Sequence, residues 1–384
     1  MTITRFVTKS AFRNRRRSTL TVLSITFSLL LLTVMMTVWH TFYVDQGSTQ
    51  SAQRLITRHR VSLTQNLPVY YREKMRTVSG VVAVAPTQWF GGLYKDPNKA
   101  ENFFAQFGTD PQEIFTVMTD YKIPPDQLEA WQHDQAGAVV DSELAKKFGW
   151  KIGDRIVLQG TIFPVNPELT IRGIFTAPQP TITVYFNQKY VEEAVDWAKG
   201  RAGTFNILAD SAADVPKVAA GVDALFRNSP EPTKTESEKA FQLDFINSLG
   251  NVKAFILSIS FAVIFATLLV SANTMAMSIR ERTREVAVLK TIGFTPQTIL
   301  GFYIGEAVMI ALLGGLLGCL LAGGLVAVMA HAPGMDFFFL GMTVTFPTFL
   351  AAIIVAAAVG LLSAIIPAYH AAKIDIVEGL RYLG

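Results

Sequence analysis

The sequence predicts a membrane α-helical protein with four transmembrane helices and a mixed α/β extracytoplasmic domain inserted between helices 1 and 2. Two observations predict this fold class. Half of the 384 residues are hydrophobic and only 17% are charged, whereas soluble domains usually carry about 25% charged residues. The apolar residues are also clustered, in four long runs that leave one mixed segment, 45–250, between the first two runs.

Each of the four runs is long enough to cross a bilayer, which takes about 20 apolar residues. The predicted transmembrane helices are 19–44, 251–277, 298–330 and 346–368. The first run is too long for the apolar part of a cleaved signal peptide, so we interpret it as an uncleaved anchor. Pro347 and Pro367 lie near the two ends of the fourth run, where prolines commonly mark helix boundaries.

Basic residues beside these helices predict their orientation. The link 331–345 contains no Lys or Arg, whereas the other flanks are basic: Arg5, Lys9, Arg13, Arg15, Arg16 and Arg17 precede helix 1, and Arg280, Arg282, Arg284 and Lys290 follow helix 2. Short basic flanks remain in the cytoplasm. We therefore expect the terminal segments 1–18 and 369–384 and the loop 278–297 to be cytoplasmic, and the domain 45–250 to be outside.

The distribution of charge also bears on the class of partner. Residues 45–250 hold 21 basic and 24 acidic side chains, and the rest of the chain holds 13 basic and 6 acidic ones. The basic excess therefore lies at the membrane flanks. A nucleic-acid-binding domain would instead cluster Lys and Arg on one folded face, so we expect no nucleic-acid partner.

The outer domain shows strand and helix patterns but no recognisable catalytic or metal-binding constellation. Asp141 and Glu143 are close together, but Asp141 is better placed to cap a helix that Gly149 ends. The polar segment 228–238 has the composition of a linker or loop. A core role is favoured over ligand binding for four aromatic residues, namely Phe103, Phe104, Phe107 and Phe115.

The stretch 273–297 predicts a short amphipathic helix after transmembrane helix 2. Val286, Leu289 and Ile292 are spaced three apart and form an apolar stripe. Such a helix either lies on the membrane surface or docks into a groove on a partner. Its mixed charge favours docking, because helices that bind lipid surfaces usually have a strongly basic face.

This stretch resembles a segment of the FtsX/MacB/LolC–LolE superfamily, the transmembrane subunits of type VII ABC transporters. The family segment reads approximately ERxxEIAxLKAIG, and the matching residues here include Glu281, Arg282, Glu285, Val286, Leu289, Lys290 and Gly293. The C-terminal tail is similar to the family pattern at Pro367, Asp375, Glu378 and Arg381. Ile376 and Gly379 depart from that pattern, in which proline and alanine are usual. The segment 139–158 resembles part of the MacB-like periplasmic core.

The resemblance implies a role for the matching residues and a set of partners. Those between 281 and 293 would form a coupling helix that seats in an ATPase subunit. Because the sequence contains no G-x-x-x-x-G-K-[ST] motif, we expect no cofactor on this chain; ATP and Mg would be held by a separate cytoplasmic ATPase dimer. The other expected partners are a second permease subunit, identical or paralogous, membrane lipid, and a periplasmic adaptor or substrate protein.

The function implied by this resemblance is that of a non-catalytic permease subunit in the bacterial cytoplasmic (inner) membrane. ATP hydrolysis by the partner would move the outer domain, a process called mechanotransmission, for export or extraction of a lipid, lipoprotein, peptide or drug-like cargo. The alternative is an FtsX-like regulator that activates an extracytoplasmic enzyme, such as a cell-wall hydrolase, without moving cargo.

Two features inside the predicted spans leave alternatives open. Glu306 is the acidic residue that interrupts helix 3; we expect it to pair with Arg280 or Arg284, or to face headgroups, rather than to serve transport chemistry. Gly314 and Gly318 form a G-x-x-x-G pattern that permits close helix approach. They would pack either within the monomer or at a subunit interface.

Overall fold

In the residues that the structure describes, the strands lie between Arg54 and Ser237, and long helices flank that segment of the chain. The structure, a computed structural model, describes residues 15–45, 47–179, 181–248, 250–332, 334–335 and 339–377. It divides into two units: Asp45–Gly250 with Met329–Gly341 form one, and the remaining described residues form the other. The first described helix is α1 (Arg15–Trp39), and a π-helical turn follows it at His40–Val44.

The outer domain is built from short strands and short helices. In its described residues the strands are β1 (Arg54–His59), β2 (Leu67–Pro68), β3 (Val81–Trp89), β4 (Leu93–Tyr94), β5 (Ala105–Thr109), β6 (Gly137–Asp141), β7 (Arg155–Gln159), β8 (Glu168–Phe175), β9 (Thr183–Asn187), β10 (Arg201–Ala202), β11 (Thr204–Ala209) and β12 (Thr233–Ser237). The helices are α2 (Tyr71–Arg76), α3 (Ile114–Val117), α4 (Pro125–Gln132), α5 (Ser142–Phe148), α6 (Gln188–Ala194), α7 (Val215–Leu225) and α8 (Glu238–Ser248).

Ten of the described strands form one mixed sheet in the order β12-β1-β11-β3-β5-β9-β6-β8-β7-β4, and β10 pairs separately with β2. The pairs β5–β9 and β6–β8 are parallel, and the other pairs in the sheet are antiparallel. Both parallel pairs involve the central strands, which are buried on both faces, as expected for parallel pairing. β7 alternates exposed and buried residues, as expected near a sheet edge with one solvated face.

Large apolar side chains fill the space between the sheet and its helices. Trp131 on α4 is fully buried, and its indole N–H donates to the carbonyl of Gly137 at 3.0 Å. Phe104 is buried and Phe107 and Phe115 pack on the core, as predicted, but Phe103 is exposed. Residue type alone did not distinguish Phe103 from Phe104. Adjacent residues beside a strand can point to opposite sides, so one can be exposed while the other is buried.

The segment 228–238, predicted as a linker or loop, instead contains strand β12. β12 pairs antiparallel with β1 in the register Thr57↔Thr235. The composition was misleading because β12 is an edge strand, where polar and charged side chains are favoured. Glu238, at the start of α8, lies 2.6 Å from the buried guanidinium of Arg54, so a long-range ion pair also fixes this segment.

The second unit consists of α1 and the helices that follow the outer domain: α9 (Val252–Glu281), α10 (Thr283–Thr291), α11 (Pro296–His331) and α12 (Phe346–Lys373). Among the described residues, four helices are long and apolar enough to cross a membrane: α1 with its π-helical turn, α9, α11 and α12. The predicted fold class is confirmed: the mixed α/β domain lies in the chain between the first and second of these helices.

Small residues allow the membrane helices to approach closely. A Cβ atom on Gly360 of α12 would lie 2.8 Å from the Cβ of Ala311 and 3.0 Å from the carbonyl oxygen of Ala307, both on α11. Ser271 and Ser363 join α9 to α12 through hydroxyl groups 2.9 Å apart. Close backbone packing and interhelical hydrogen bonds are typical of helices associating in lipid.

The fourth helix is longer than predicted, because α12 continues through Pro367 to Lys373. The proline was expected to mark the end of the helix at 368. A proline removes one backbone hydrogen bond, but transmembrane helices tolerate this loss when neighbouring helices and hydroxyl side chains compensate. Lys373 therefore lies in the last turn of a helix rather than in a tail.

Candidate functional site

The connection between α9 and α11 contains the residues that the sequence assigned to ATPase coupling. α9 ends at Glu281, and Arg282 adopts a non-helical backbone (φ −111°, ψ 14°) before α10 begins. Gly293 then takes φ +100°, a conformation that other residues rarely adopt. The N–H of Phe294 donates to the carbonyl of Leu289 at 3.1 Å, so α10 ends in a Schellman motif.

Glu281 and Arg282 are neighbours in sequence but pair with different helices. The Glu281 carboxylate lies 2.7 Å from the Arg17 guanidinium of α1, and this carboxylate is 52% exposed. Arg17 also donates to the hydroxyl of Ser278 at 3.1 Å. The Arg282 guanidinium lies 2.9 Å from the Glu306 carboxylate of α11. The junction between α9 and α10 is thus tied to two other membrane helices.

Glu306 pairs with Arg282, which was not one of the two arginines predicted, Arg280 and Arg284, and it is buried rather than facing headgroups. Arg280 and Arg284 are both exposed. The sequence did not reveal that the helix breaks at Arg282. A break of this kind changes which side chain turns toward the neighbouring helix.

Two residues of the predicted apolar stripe, Val286 and Leu289, pack inside the chain, whereas the third, Ile292, is exposed. Val286 is fully buried in an apolar cluster that includes Ile299 and Tyr303 of α11, and Leu289 packs on the same cluster. Both were predicted as contacts to an ATPase, but Val286 has no exposed surface for a partner in this structure. The spacing of apolar residues indicates a buried face without saying which element covers it.

The opposite side of α10 is exposed and mixed in character. Arg284, Val288 and Ile292 are spaced four apart and share one face. Ile292 is 70% exposed, and Val288 and Phe294 are exposed as well. Glu285 is half-buried between this face and the packed one. Val288 and Phe294 were not singled out from the sequence, because neither belongs to the predicted stripe of Val286, Leu289 and Ile292.

Lys290 links α10 to the fourth membrane helix. Its Nζ donates to the carbonyl oxygen of Ile374 at 2.6 Å, immediately after the last residue of α12. A cation at this position satisfies a carbonyl at the negative end of the helix dipole. In the predicted tail motif, Pro367 lies within α12 and Asp375 is exposed just beyond it, whereas Glu378 and Arg381 lie outside the described residues.

Gly314 and Gly318 of α11 lie against α1 of the same chain. A Cβ atom on Gly314 would be 2.7 Å from the Ile25 side chain, and one on Gly318 would be 2.8 Å from the carbonyl oxygen of Thr26. Any larger side chain would therefore force α1 and α11 apart. Of the two alternatives, the structure shows the packing within the chain.

In the outer domain, Asp141 caps α5 as predicted. Its Oδ1 accepts from the N–H of Glu143 at 2.7 Å, and its Oδ2 accepts from the hydroxyl of Thr181 at 2.8 Å. Burial raises the pKa of Asp141, although these hydrogen bonds oppose the shift. Gly149 ends the helix at φ +68°. Among the described residues, no group of three His, Cys, Asp or Glu side chains is arranged to hold a metal ion.

Comparison with protein families gives two matches that together span most of the chain. Residues 18–225 match the MacB-like periplasmic core domain, and residues 257–376 match the FtsX-like permease C-terminal domain. The first match runs from α1 through the outer domain to the end of α7, and the second runs from α9 to just beyond the end of α12.

Several curated proteins are similar to this chain. The uncharacterized ABC transporter permease MJ1507 of Methanocaldococcus jannaschii is 22% identical over 324 residues, which cover 82% of this chain and 80% of that protein. The uncharacterized permease YknZ of Bacillus subtilis is 27% identical over 62% of this chain and 61% of its own length. YvrN of the same species is 34% identical, but the match spans 29% of this chain and 26% of YvrN.

Two solved domains are also similar, with low TM-scores. The extracellular domain of YknZ aligns with a TM-score of 0.35 and 10% identity, covering 48% of this chain and 99% of that domain. The periplasmic region of MacB from Actinobacillus actinomycetemcomitans aligns with a TM-score of 0.36 and 14% identity, covering 51% of this chain and 93% of that region.

Proposed function

The chain belongs to the FtsX/MacB family of ABC transporter permeases, and from that premise we propose that it couples ATP hydrolysis by a separate cytoplasmic ATPase to movement of its outer domain. The cargo class favoured by the family is a lipid, lipoprotein, peptide or drug-like molecule. In this proposal the protein lies in the bacterial inner membrane with both termini in the cytoplasm, as the basic flanks of its helices indicate. A second permease subunit completes the assembly.

The two-sided character of α10 supports this proposal most directly. One side is bound to the chain's own membrane helices through the Val286 cluster and through Lys290. The other side presents Arg284, Val288 and Ile292 to solvent. A helix that is anchored on one side and exposes a mixed apolar and charged face on the other can receive a push from a partner and pass it to the membrane helices.

The ATPase-contacting face in this proposal differs from the one read from the sequence alone. Val286 and Leu289 serve to seat α10 on α11, whereas Val288, Ile292 and Phe294 contact the ATPase. Large apolar side chains at the centre of an interface commonly contribute most of its binding energy. Arg284 would add charge complementarity, which sets orientation and association rate more than affinity.

Copurification of the ATPase with the full-length permease tests this assignment. We expect Ile292→Asp to reduce the recovered ATPase at least tenfold, because a charge replaces an apolar contact at the interface. Val61→Asp is the matched control: Val61 is equally exposed but lies in the outer domain, and its variant should recover the ATPase normally. Wild-type recovery with Ile292→Asp would contradict the assigned face.

The alternative function, an FtsX-like regulator, would use the same coupling between the ATPase and the outer domain. It would differ in activating an extracytoplasmic enzyme instead of moving cargo. Two polar pairs between the membrane helices, Ser271 with Ser363 and Arg282 with Glu306, are each closed by a direct side-chain contact, whereas a continuous polar path would need several ionisable groups along it. This observation favours movement of the outer domain over passage through the helices, and such movement would serve either function. Cargo-stimulated ATP hydrolysis would support transport, whereas capture of a cell-wall hydrolase by the outer domain would support regulation.

A further inference from the structure

Two ion pairs of very different burial hold the junction between α9 and α10. The side chains of Arg282 and Glu306 are only 8% and 6% exposed, whereas Glu281, the partner of Arg17, is largely in solvent. Charge attraction strengthens as water is excluded. The buried pair therefore fixes the junction to α11 more firmly than the outer pair fixes it to α1.

Arg282 occupies the backbone position at which α10 can pivot relative to α9. It is the residue after the last turn of α9 and the residue before the first turn of α10, and its backbone is not helical. Its side chain, however, is held on α11 at Glu306. Tyr303, one turn earlier on α11, belongs to the same apolar cluster as Val286, so the ion pair extends the contact between α10 and α11.

A small polar cavity lies beside this junction. It has a volume of about 20 Å³ and is lined by residues that include Arg17, Ser278 and Glu306, which is enough space for about one water molecule. Both ion pairs therefore contribute a residue to the wall of one polar cavity. Glu306 therefore borders this cavity as well as the Arg282 guanidinium.

We propose that the Arg282–Glu306 pair is the pivot contact that makes α10 and α11 move as one body, so that a displacement of α10 reaches the membrane helices. This inference rests on the proposed function, in which an ATPase displaces α10. Arg282 and Glu306 act here as positioning residues. A buried ion pair is a weak source of net stability, and in this proposal its role is to hold the junction in one geometry.

The variant Glu306→Gln separates positioning from folding. It removes the negative charge that Arg282 contacts at 2.9 Å and leaves the guanidinium with less compensating charge. Long basic side chains near helix ends move their charge toward water when they can. We expect Arg282 to move outward and loosen the junction, so that α10 can shift relative to α11, while burial of Val286 still allows α10 to fold and the complex to assemble.

The experiment uses the complete complex with its ATPase in lipid nanodiscs. It measures the rate of ATP hydrolysis and the ATP-dependent change in hydrogen exchange across residues 45–250. We expect Glu306→Gln to assemble and retain at least half of the hydrolysis rate, but to reduce the exchange change at least fivefold. Arg17→Gln, which breaks the exposed pair, is the matched control and should retain at least half of the exchange change.

The remaining outcomes decide for or against the Arg282–Glu306 pair as the pivot contact. A Glu306→Gln complex with the full exchange change would overturn it. If the Glu306→Gln complex does not assemble, the neutral double variant Arg282→Gln with Glu306→Gln is measured instead. ATP hydrolysis without the exchange change across 45–250 in this variant would support the pivot contact. Retained coupling, or a second failure to assemble, contradicts it. A wild-type complex that hydrolyses ATP with no exchange change in 45–250 overturns the proposed function itself, and the pivot with it.

Discussion

The outer domain and the helical unit hold their elements together in different ways. In the outer domain, bulky side chains such as Trp131, Phe175 and Phe205 are fully buried between the sheet and its helices. In the helical unit, the fully buried contacts are made largely by alanines and glycines, including Ala311, Ala356 and Gly360. Burial of large apolar surface is favourable in water, but lipid provides no such driving force between helices, so close packing takes its place.

Because the two units are packed differently, they should be destabilised by different kinds of substitution. The outer domain loses stability when a large side chain is removed, because a cavity remains. The helical unit loses stability when a small residue is enlarged, because two backbones must separate. A single pair of matched substitutions in each unit can test the contrast.

The largest expected effect comes from Trp131→Ala in the outer domain. It removes a fully buried indole and its hydrogen bond to Gly137, which we expect to cost about 3–5 kcal/mol of unfolding free energy. Trp197→Ala is the control, since Trp197 is exposed, and it should cost about 1 kcal/mol or less. Denaturant titration of the full-length protein, followed by near-UV circular dichroism, measures both; equal losses would contradict the assigned core.

An intermediate effect is expected from Gly360→Ala in α12. The added methyl group would meet Ala311 and Ala307 at 3.0 Å or less, so the helices must separate at a cost of about 1–3 kcal/mol. Gly323→Ala in α11 is the control, because its methyl group would meet no atom within 4 Å. The control should be neutral or slightly stabilising, since alanine is the better helix former. Unfolding in mixed detergent micelles compares the two variants.

The smallest expected effect is the pH dependence that Asp141 gives the outer domain. Burial raises the folded-state pKa of Asp141 above its usual value. A raised folded-state pKa contributes stability that is present below the unfolded pKa and lost as pH rises through the folded one. Asp141→Asn should remove this component of stability. The unfolding free energy of the variant should therefore fall below that of the wild type by less at higher pH than at lower pH. Unfolding free energies measured between about pH 3 and pH 7 would refute this if the difference were constant.

The membrane helices were more predictable from the sequence than the sheet. The length of an apolar run reflects the thickness of the bilayer, which is a local signal. The sequence pattern did not predict β1, because Arg54 and Arg58 interrupt its apolar residues. In the structure these charges are compensated by Glu238 and Glu236, which lie far away in the chain, so their compensation is not visible in any local window.

The candidate site was predictable in position but not in orientation. The sequence placed a short amphipathic helix after α9 and singled out Glu306 as the acidic residue within a span. It did not give the partner of Glu306, because the break at Arg282 alters the phase between α9 and α10. Nor could it tell that Val286 packs on the chain's own helices, since an apolar stripe has the same spacing whether its cover is internal or external.

In the proposed function, an ATPase that displaces α10 causes the outer domain, residues 45–250, to move. The most direct test is hydrogen exchange across residues 45–250 in the wild-type complex, compared with and without a non-hydrolysable ATP analogue. We expect a reproducible change in hydrogen exchange within the outer domain when the ATP analogue is added. Identical exchange throughout 45–250, in a complex shown to bind the analogue, would contradict it.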